Sequence, residues 1–159
     1  MLSRTAENLF WMGRYMERAD ATARLIEMGY RMAMLPGSNE LEEWRSVAAA
    51  SGSAPDIASV ANLKPGDVVQ RLLLDPENPS SIRSCLTAAR ANGRAVRTAL
   101  TQDMWEALND GWRQLGQMDA DTALKNLTSS LNYTIAALTF IVAGAISWPH
   151  TLVALCTAA

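Results

Sequence analysis

The segment from Ser3 to Leu25, SRTAENLFWMGRYMERADATARL, constrains this chain more than any other. It reads as one long helix, predicted over about Arg4 to Leu35, with Ser3 as its cap and Pro36-Gly37-Ser38-Asn39 as its stop. At about 100° per residue, Ala6, Leu9, Phe10, Gly13 and Met16 share one face. Towards the C-terminus that face becomes Glu17, Asp20, Arg24, Glu27 and Arg31, while Trp11, Tyr15, Ala19 and Ile26 make a second apolar face. A helix that is apolar on two sides is expected to be wedged between neighbours, with part of its charged stripe buried and therefore paired. Asp20 with Arg24, and Glu27 with Arg31, have the i,i+4 order that favours pairing. Glu17 can reach back to Arg14, and Arg18 points about 100° away, towards a different neighbour. The competing reading is a solvated helix laced with weak surface pairs, and on spacing alone it is the commoner case.

A chain of 159 residues, 49% hydrophobic and 19% charged, can bury the core of one domain. A net charge of -2 gives no reason to expect nucleic-acid binding. Cys85 and Cys156 lie far apart with no metal-ligand spacing, and His150 is the single histidine, so a zinc site is not expected. A Ser-His or Cys-His catalytic arrangement would depend on that one histidine. No cofactor is expected. No signal peptide opens the chain, which makes the cytoplasm the expected compartment, with both thiols reduced.

Downstream, helices are expected at about Glu40–Ala50, with Leu41, Trp44 and Val47 or Ala48 inward, at Ile57–Asn62, and at Val68–Leu74. The run Leu72-Leu73-Leu74 could also pass for a buried strand, but no partner strand is evident. Asp75 to Ser81 is a capping loop, in which Pro79 precedes the helix and Ser80 or Ser81 takes the cap. The next helix, about Ile82–Leu100, carries Ile82, Cys85, Leu86, Ala89, Gly93, Val96 and Leu100 as its core stripe. Thr101 caps a further helix whose inward stripe reads Trp105, Leu108, Trp112, Leu115. The fold class is all-α, a bundle of about five or six helices.

Arg83, Arg90, Arg94 and Arg97 fall in one sector of the wheel, with no Asp or Glu between Ser80 and Thr101 to offset them. Either they pair with carboxylates of other helices, Glu17, Asp20 and Glu27 being candidates, or they help form an anion site. An arginine stripe without interleaved aromatics is poor evidence for nucleic acid.

The opening MLSRTAENLFWMGRYMERADATARL closely resembles the alpha-E family, bacterial all-helical proteins defined by a Glu-Arg motif, here Glu17-Arg18. LLLDPENPSSIRSCLTAARANGRAVR, Leu72 to Arg97, resembles the family's second signature, and so does DMWEALNDGW, Asp103 to Trp112. Ala91-Asn92-Gly93 stands where the family has Glu-Asn-Ala. Family members are about twice this long, with a second Glu-Arg helix, so the chain resembles the first half of one. The resemblance implies a non-catalytic accessory or scaffold role in a peptide synthesis or modification system, with ATP-grasp-type ligases and transglutaminase-like proteins as partners. By the same resemblance, Arg14, Glu17, Arg18, Asp20, Arg24, Asn78, Ser80, Ser81, Arg90, Asn92, Arg94 and Arg97 are the candidate ligand- or partner-binding residues. The runner-up is an enzyme or small-ligand binder in which Glu17 and the arginine face handle a carboxylate or phosphate. A third reading is a truncated, inactive remnant.

After Lys125 the chain has no Asp, Glu, Lys or Arg, and Leu131–Ile146 is almost wholly apolar. This divides the chain into a helical domain, 1–127, and an uncharged apolar tail, 128–159. A membrane span needs about 20 apolar residues, which this segment reaches only with Asn132, its threonines or the Trp148-Pro149 break included. An altered reading frame or truncated gene, a buried helix completing the bundle, and a membrane anchor are the three readings of the tail. Were it to insert, Lys125 ahead of it would place the helical domain inside the cell.

Overall fold

Helix α1 runs from Leu2 to Ala33. Its 32 residues make it about 48 Å long, and it is the axis of the molecule. The computed structural model describes residues 2–52, 60, 62–119 and 122–123, and among them it is all-α. Leu2 is already helical, so Ser3 lies inside the first turn and does not cap it. At the far end Gly37 takes a positive φ of 84°, open to glycine at no steric cost. The Ser38 hydroxyl donates to the carbonyls of Ala33 and Leu35 (2.9 and 2.8 Å), closing the last turn.

One stripe of α1 is buried: Met12, Met16, Ala19, Ala23 and Ile26, at alternating spacings of four and three. The two apolar faces expected from the wheel are corrected by this packing. Among the described residues, neighbours cover α1 along one side only, so Phe10 and Trp11 stay exposed and Met12 takes the core position. The neighbours are α2 (Glu40–Ala50) and α4 (Ile82–Ala95), with a short α3 (Pro65–Val69) and a π-helical turn (Gln70–Leu74) closing the gap between them. Helix α5 (Gln102–Gly116) packs against α4.

Local chemistry explains each start. Glu40, Glu42 and Glu43 crowd the first turn of α2, where carboxylates complement the dipole, and Trp44, Val47 and Ala48 face the core. The Asp67 carboxylate accepts from the Lys64 backbone N–H at the start of α3 (3.1 Å). Val68, Val69, Leu72, Leu73 and Leu74 are all buried, while Gln70 between them stays exposed. They are helical, so the strand reading of the leucine run is set aside. Ser81 caps α4 by accepting from Ser84 N–H (3.1 Å), and Thr101 caps α5 by accepting from Met104 N–H (3.2 Å).

Two boundaries differ from the sequence reading. Helix α4 ends at Ala95 rather than near Leu100, giving way to a 3-10 turn over Arg97–Ala99. The tighter turn carries Val96 and Leu100 into the core. In α5 the buried stripe is Met104, Leu108 and Leu115, with Trp105 half-buried and Trp112 37% exposed, so these tryptophans do not anchor the core.

The helix expected at Ile57–Asn62 falls mostly outside the described residues, and Val60 and Asn62 are not helical. The tail 128–159, with His150 and Cys156, lies outside them too. Among the described residues no helix is long and apolar enough to cross a membrane.

Candidate functional site

The outer face of α1 holds Glu17 of the Glu-Arg pair. Glu17 accepts from Arg14 at 2.8 Å, and each of the two side chains is 55% exposed. Asp20 accepts from Arg24 (2.8 Å), and Glu27 from Arg31 (2.5 Å). Each pair has one arginine largely in solvent. All three pairings match the spacing argument; the Asp20 and Glu27 side chains are half-buried (24% and 18% exposed), whereas the Arg14–Glu17 pair is solvated. Exposed pairs of this kind contribute little to stability, because water screens them and two long side chains must be held still. The hydrogen bond that Arg24 donates to Asp20 holds its guanidinium above its usual pKa, so its charge is never in question. The second carboxylate oxygen of Asp20 is buried without a hydrogen-bond partner. Along the same outer face lie Phe10, Met28, Met32 and Leu35, all exposed.

The second signature does structural work. Asn78 is buried, donates to the Arg71 carbonyl (2.9 Å) and accepts from Ser80 N–H (2.9 Å). The buried Ser81 hydroxyl donates to the Asp75 carbonyl (2.6 Å) while capping α4. Asp75 accepts from Glu77 N–H (2.9 Å) and pairs with Arg71. Those two contacts hold its carboxyl below the usual carboxylate range. These residues staple the turn from the π segment into α4. Asn92 returns its amide to the Ala88 carbonyl (2.8 Å) on its own helix.

The four arginines of the second signature do not share a site. Arg83 donates to the carbonyls of Leu115 (3.1 Å) and Gly116 (3.4 Å), capping the C-terminus of α5. Arg90 donates to Asn109 Oδ1 (2.7 Å), with its guanidinium carbon 4.4 Å from the Trp112 ring centre and 5.9 Å from that of Trp105. Arg97 lies 5.4 Å from the Trp105 ring. Arg94 is exposed. The expected pairing with Glu17, Asp20 and Glu27 is thus corrected: those carboxylates serve arginines of α1, while Arg83, Arg90 and Arg97 are met by carbonyls, an amide and indole rings. The aromatics are interleaved in space, not in sequence. Asn109 and the tryptophans were missed as partners because no spacing on one helix reveals what a second helix brings across.

Arg18 turns to the other side of α1. Two features that are distant in the chain meet there: the Glu-Arg motif and Ser80 of the second signature. With Ala21, Thr22, Leu25, Ala50 and Ser51 they line a shallow pocket of about 230 Å³. A larger cavity of about 420 Å³ sits by Ser3, Arg4, Thr5, Asn8, Ala95 and Val96 and contains no candidate residue. Beneath the Arg18 pocket the buried Cys85 thiol leans on the Pro79 carbonyl (3.6 Å). Burial pushes that thiol up, and the charge of Arg18 pulls the other way, more weakly. Among the described residues no three His, Cys, Asp or Glu side chains cluster as metal ligands.

A family model for Alpha-E, described as a predicted alpha-helical domain with a conserved ER motif, matches residues 1–147. The chain belongs to the Alpha-E family. The match covers all five helices and runs into the uncharged stretch that follows. Among Alpha-E relatives, uncharacterized proteins of Mycobacterium bovis and Mycobacterium tuberculosis are 31% identical over 121 residues, covering 66% of this chain. The match spans 14% of the length of those relatives. No solved structure matches the chain.

Proposed function

We propose that this Alpha-E domain is a non-catalytic docking module of a cytoplasmic peptide synthesis or modification system. Its partners are an ATP-grasp-type ligase and a transglutaminase-like protein. The carrying observation is where the Glu-Arg motif lies. Glu17 stands on the exposed outer face of α1, between Phe10 on one side and Met28 and Met32 on the other. Such a face, with apolar residues flanking charged ones, is built to meet another protein: apolar side chains supply contact area, and rim charges select the partner. A catalytic carboxylate would sit instead in a cleft with a perturbed environment and a positioned neighbour. Glu17 is open to water and, among the described residues, paired with Arg14.

The test is affinity capture of the tagged chain from its own cells in mild detergent, with mass spectrometry, repeated with Phe10→Ala and with Glu17→Arg. Recovery of a ligase or transglutaminase-like protein by the parent chain, and its loss from both variants, supports docking on this face. Recovery of chaperones and proteases alone contradicts it.

A further inference from the structure

Arg18 is set apart from the other arginines on α1. Arg14, Arg24 and Arg31 each hold a carboxylate, whereas Arg18 has no hydrogen bond or ion pair among the described residues. Its five N–H donors are therefore available to a ligand. Arg18 is exposed and lines the shallow pocket. Thr22 and Ser80 line the same pocket, with Ala21, Leu25 and Ala50 as its apolar wall. Among the described residues no carboxylate lines it, and Glu17 is turned to Arg14.

We infer that Arg18, with Thr22 and Ser80, forms a binding pocket for a single carboxylate group. Two features favour a carboxylate over a phosphate. The pocket offers one positive charge, and among the described residues no second arginine or lysine lines it. Ala50 and Ser51, the C-terminal end of α2, form one wall, and the partial negative charge of a helix C-terminus opposes a dianion more strongly than a monoanion. A planar guanidinium can hold the carboxylate through two parallel hydrogen bonds. Size adds a further limit. About 230 Å³ is less than the ~300–1,000 Å³ of sites for drug-sized ligands, so the pocket takes the acid end of a molecule and leaves the rest outside. The site lies off the outer face of α1 that carries Glu17 and Phe10, and it stands whether or not that face docks a partner.

The test is a titration of the isotopically labelled full chain, followed by backbone amide NMR shifts. Acetate and glutarate represent free acids, an acetylated dialanine represents a peptide C-terminus, and its C-terminal amide and inorganic phosphate are the controls. The expected result is saturable shifts at Thr22, Ser51 and Ser80 with carboxylates and none with the amide. Arg18→Gln and Ser80→Ala each weaken binding, the former by on the order of tenfold. Arg31→Gln, more than three turns away on the same helix and outside the pocket, leaves it unchanged. Tighter binding of the peptide than of glutarate names a peptide C-terminus as the source, and the reverse names a free acid. Absence of saturable shifts, equal binding by Arg18→Gln, or tighter binding of phosphate overturns the assignment.

Discussion

Two glycines lie buried in helices, and the structure separates them. Each forgoes about 1 kcal/mol of helix propensity relative to alanine, so propensity alone predicts that both substitutions stabilise. At Gly29 the helices α1 and α2 come together so closely that a Cβ would stand 2.2 Å from Val47 Cγ2. Valine is stiff at χ1 in a helix and cannot swing that methyl aside, so α1 and α2 must move apart. Overpacking of this kind costs about 1–3 kcal/mol, which outweighs the propensity gain and leaves Gly29→Ala about 1 kcal/mol less stable than the parent. At Gly93 an added Cβ meets Leu108 Cδ2, Leu100 Cδ1 and Met12 Sδ at 3.2–3.3 Å, all ends of flexible side chains. Gly93→Ala is therefore expected to be neutral or stabilising by up to about 1 kcal/mol. Urea denaturation followed by circular dichroism reads both as shifts in midpoint at constant slope. Pairing Gly29→Ala with Val47→Ala removes the colliding methyl, so the double variant should lose less stability than the sum of the two single changes. A Gly29→Ala chain as stable as the parent, or a strictly additive double variant, would refute the close approach of α1 and α2.

Glu17→Gln should leave the melting temperature within about 2 °C of the parent, because its pair with Arg14 is solvated; a large drop in thermal denaturation would place the motif in a buried network. Ser81→Ala removes the α4 cap together with the hydroxyl that holds the Asp75 carbonyl, and should cost about 2 kcal/mol in the same denaturation assay. Asp75 has a lowered pKa in the folded chain, so its contribution is present above the ordinary carboxylate pKa and is lost as the pH falls through the lower, folded value. Hydrogen exchange of the 75–84 segment should accelerate over that acid range, and Asp75→Asn should abolish this pH dependence. Cys85, with its thiol raised by burial, should resist alkylation at mildly alkaline pH until the chain unfolds, and rapid labelling of the native chain would contradict its burial.

Much of the fold was legible because its signals are local. Helix α2 and the caps at Ser81 and Thr101 need only residues within one turn to declare themselves. The core stripe of α4 also reads directly from spacing, since Ile82, Cys85, Leu86, Ala89 and Gly93 recur at three and four residues and all are buried. The sequence was less informative where one helix has apolar residues on more than one side. On α1, Phe10 and Met12 are equally apolar, and only the positions of α2 and α4 decide that Met12 is inside. The same limit applies to the candidate residues. The i,i+3 and i,i+4 ion pairs of α1 could be read off, but Arg83 at the end of α5, Arg90 against Trp112, and Arg18 beside Ser80 depend on segments far apart in the chain.

The central claim is that the outer face of α1 docks a partner enzyme. Its most direct test is binding of the purified chain to the purified ATP-grasp-type ligase and transglutaminase-like protein of the same organism, measured by calorimetry for the parent, Phe10→Ala and Glu17→Arg. Docking predicts a saturable complex with at least one of them, weakened by both substitutions while the melting temperature holds. No complex with either protein, or a complex indifferent to both substitutions, would contradict it.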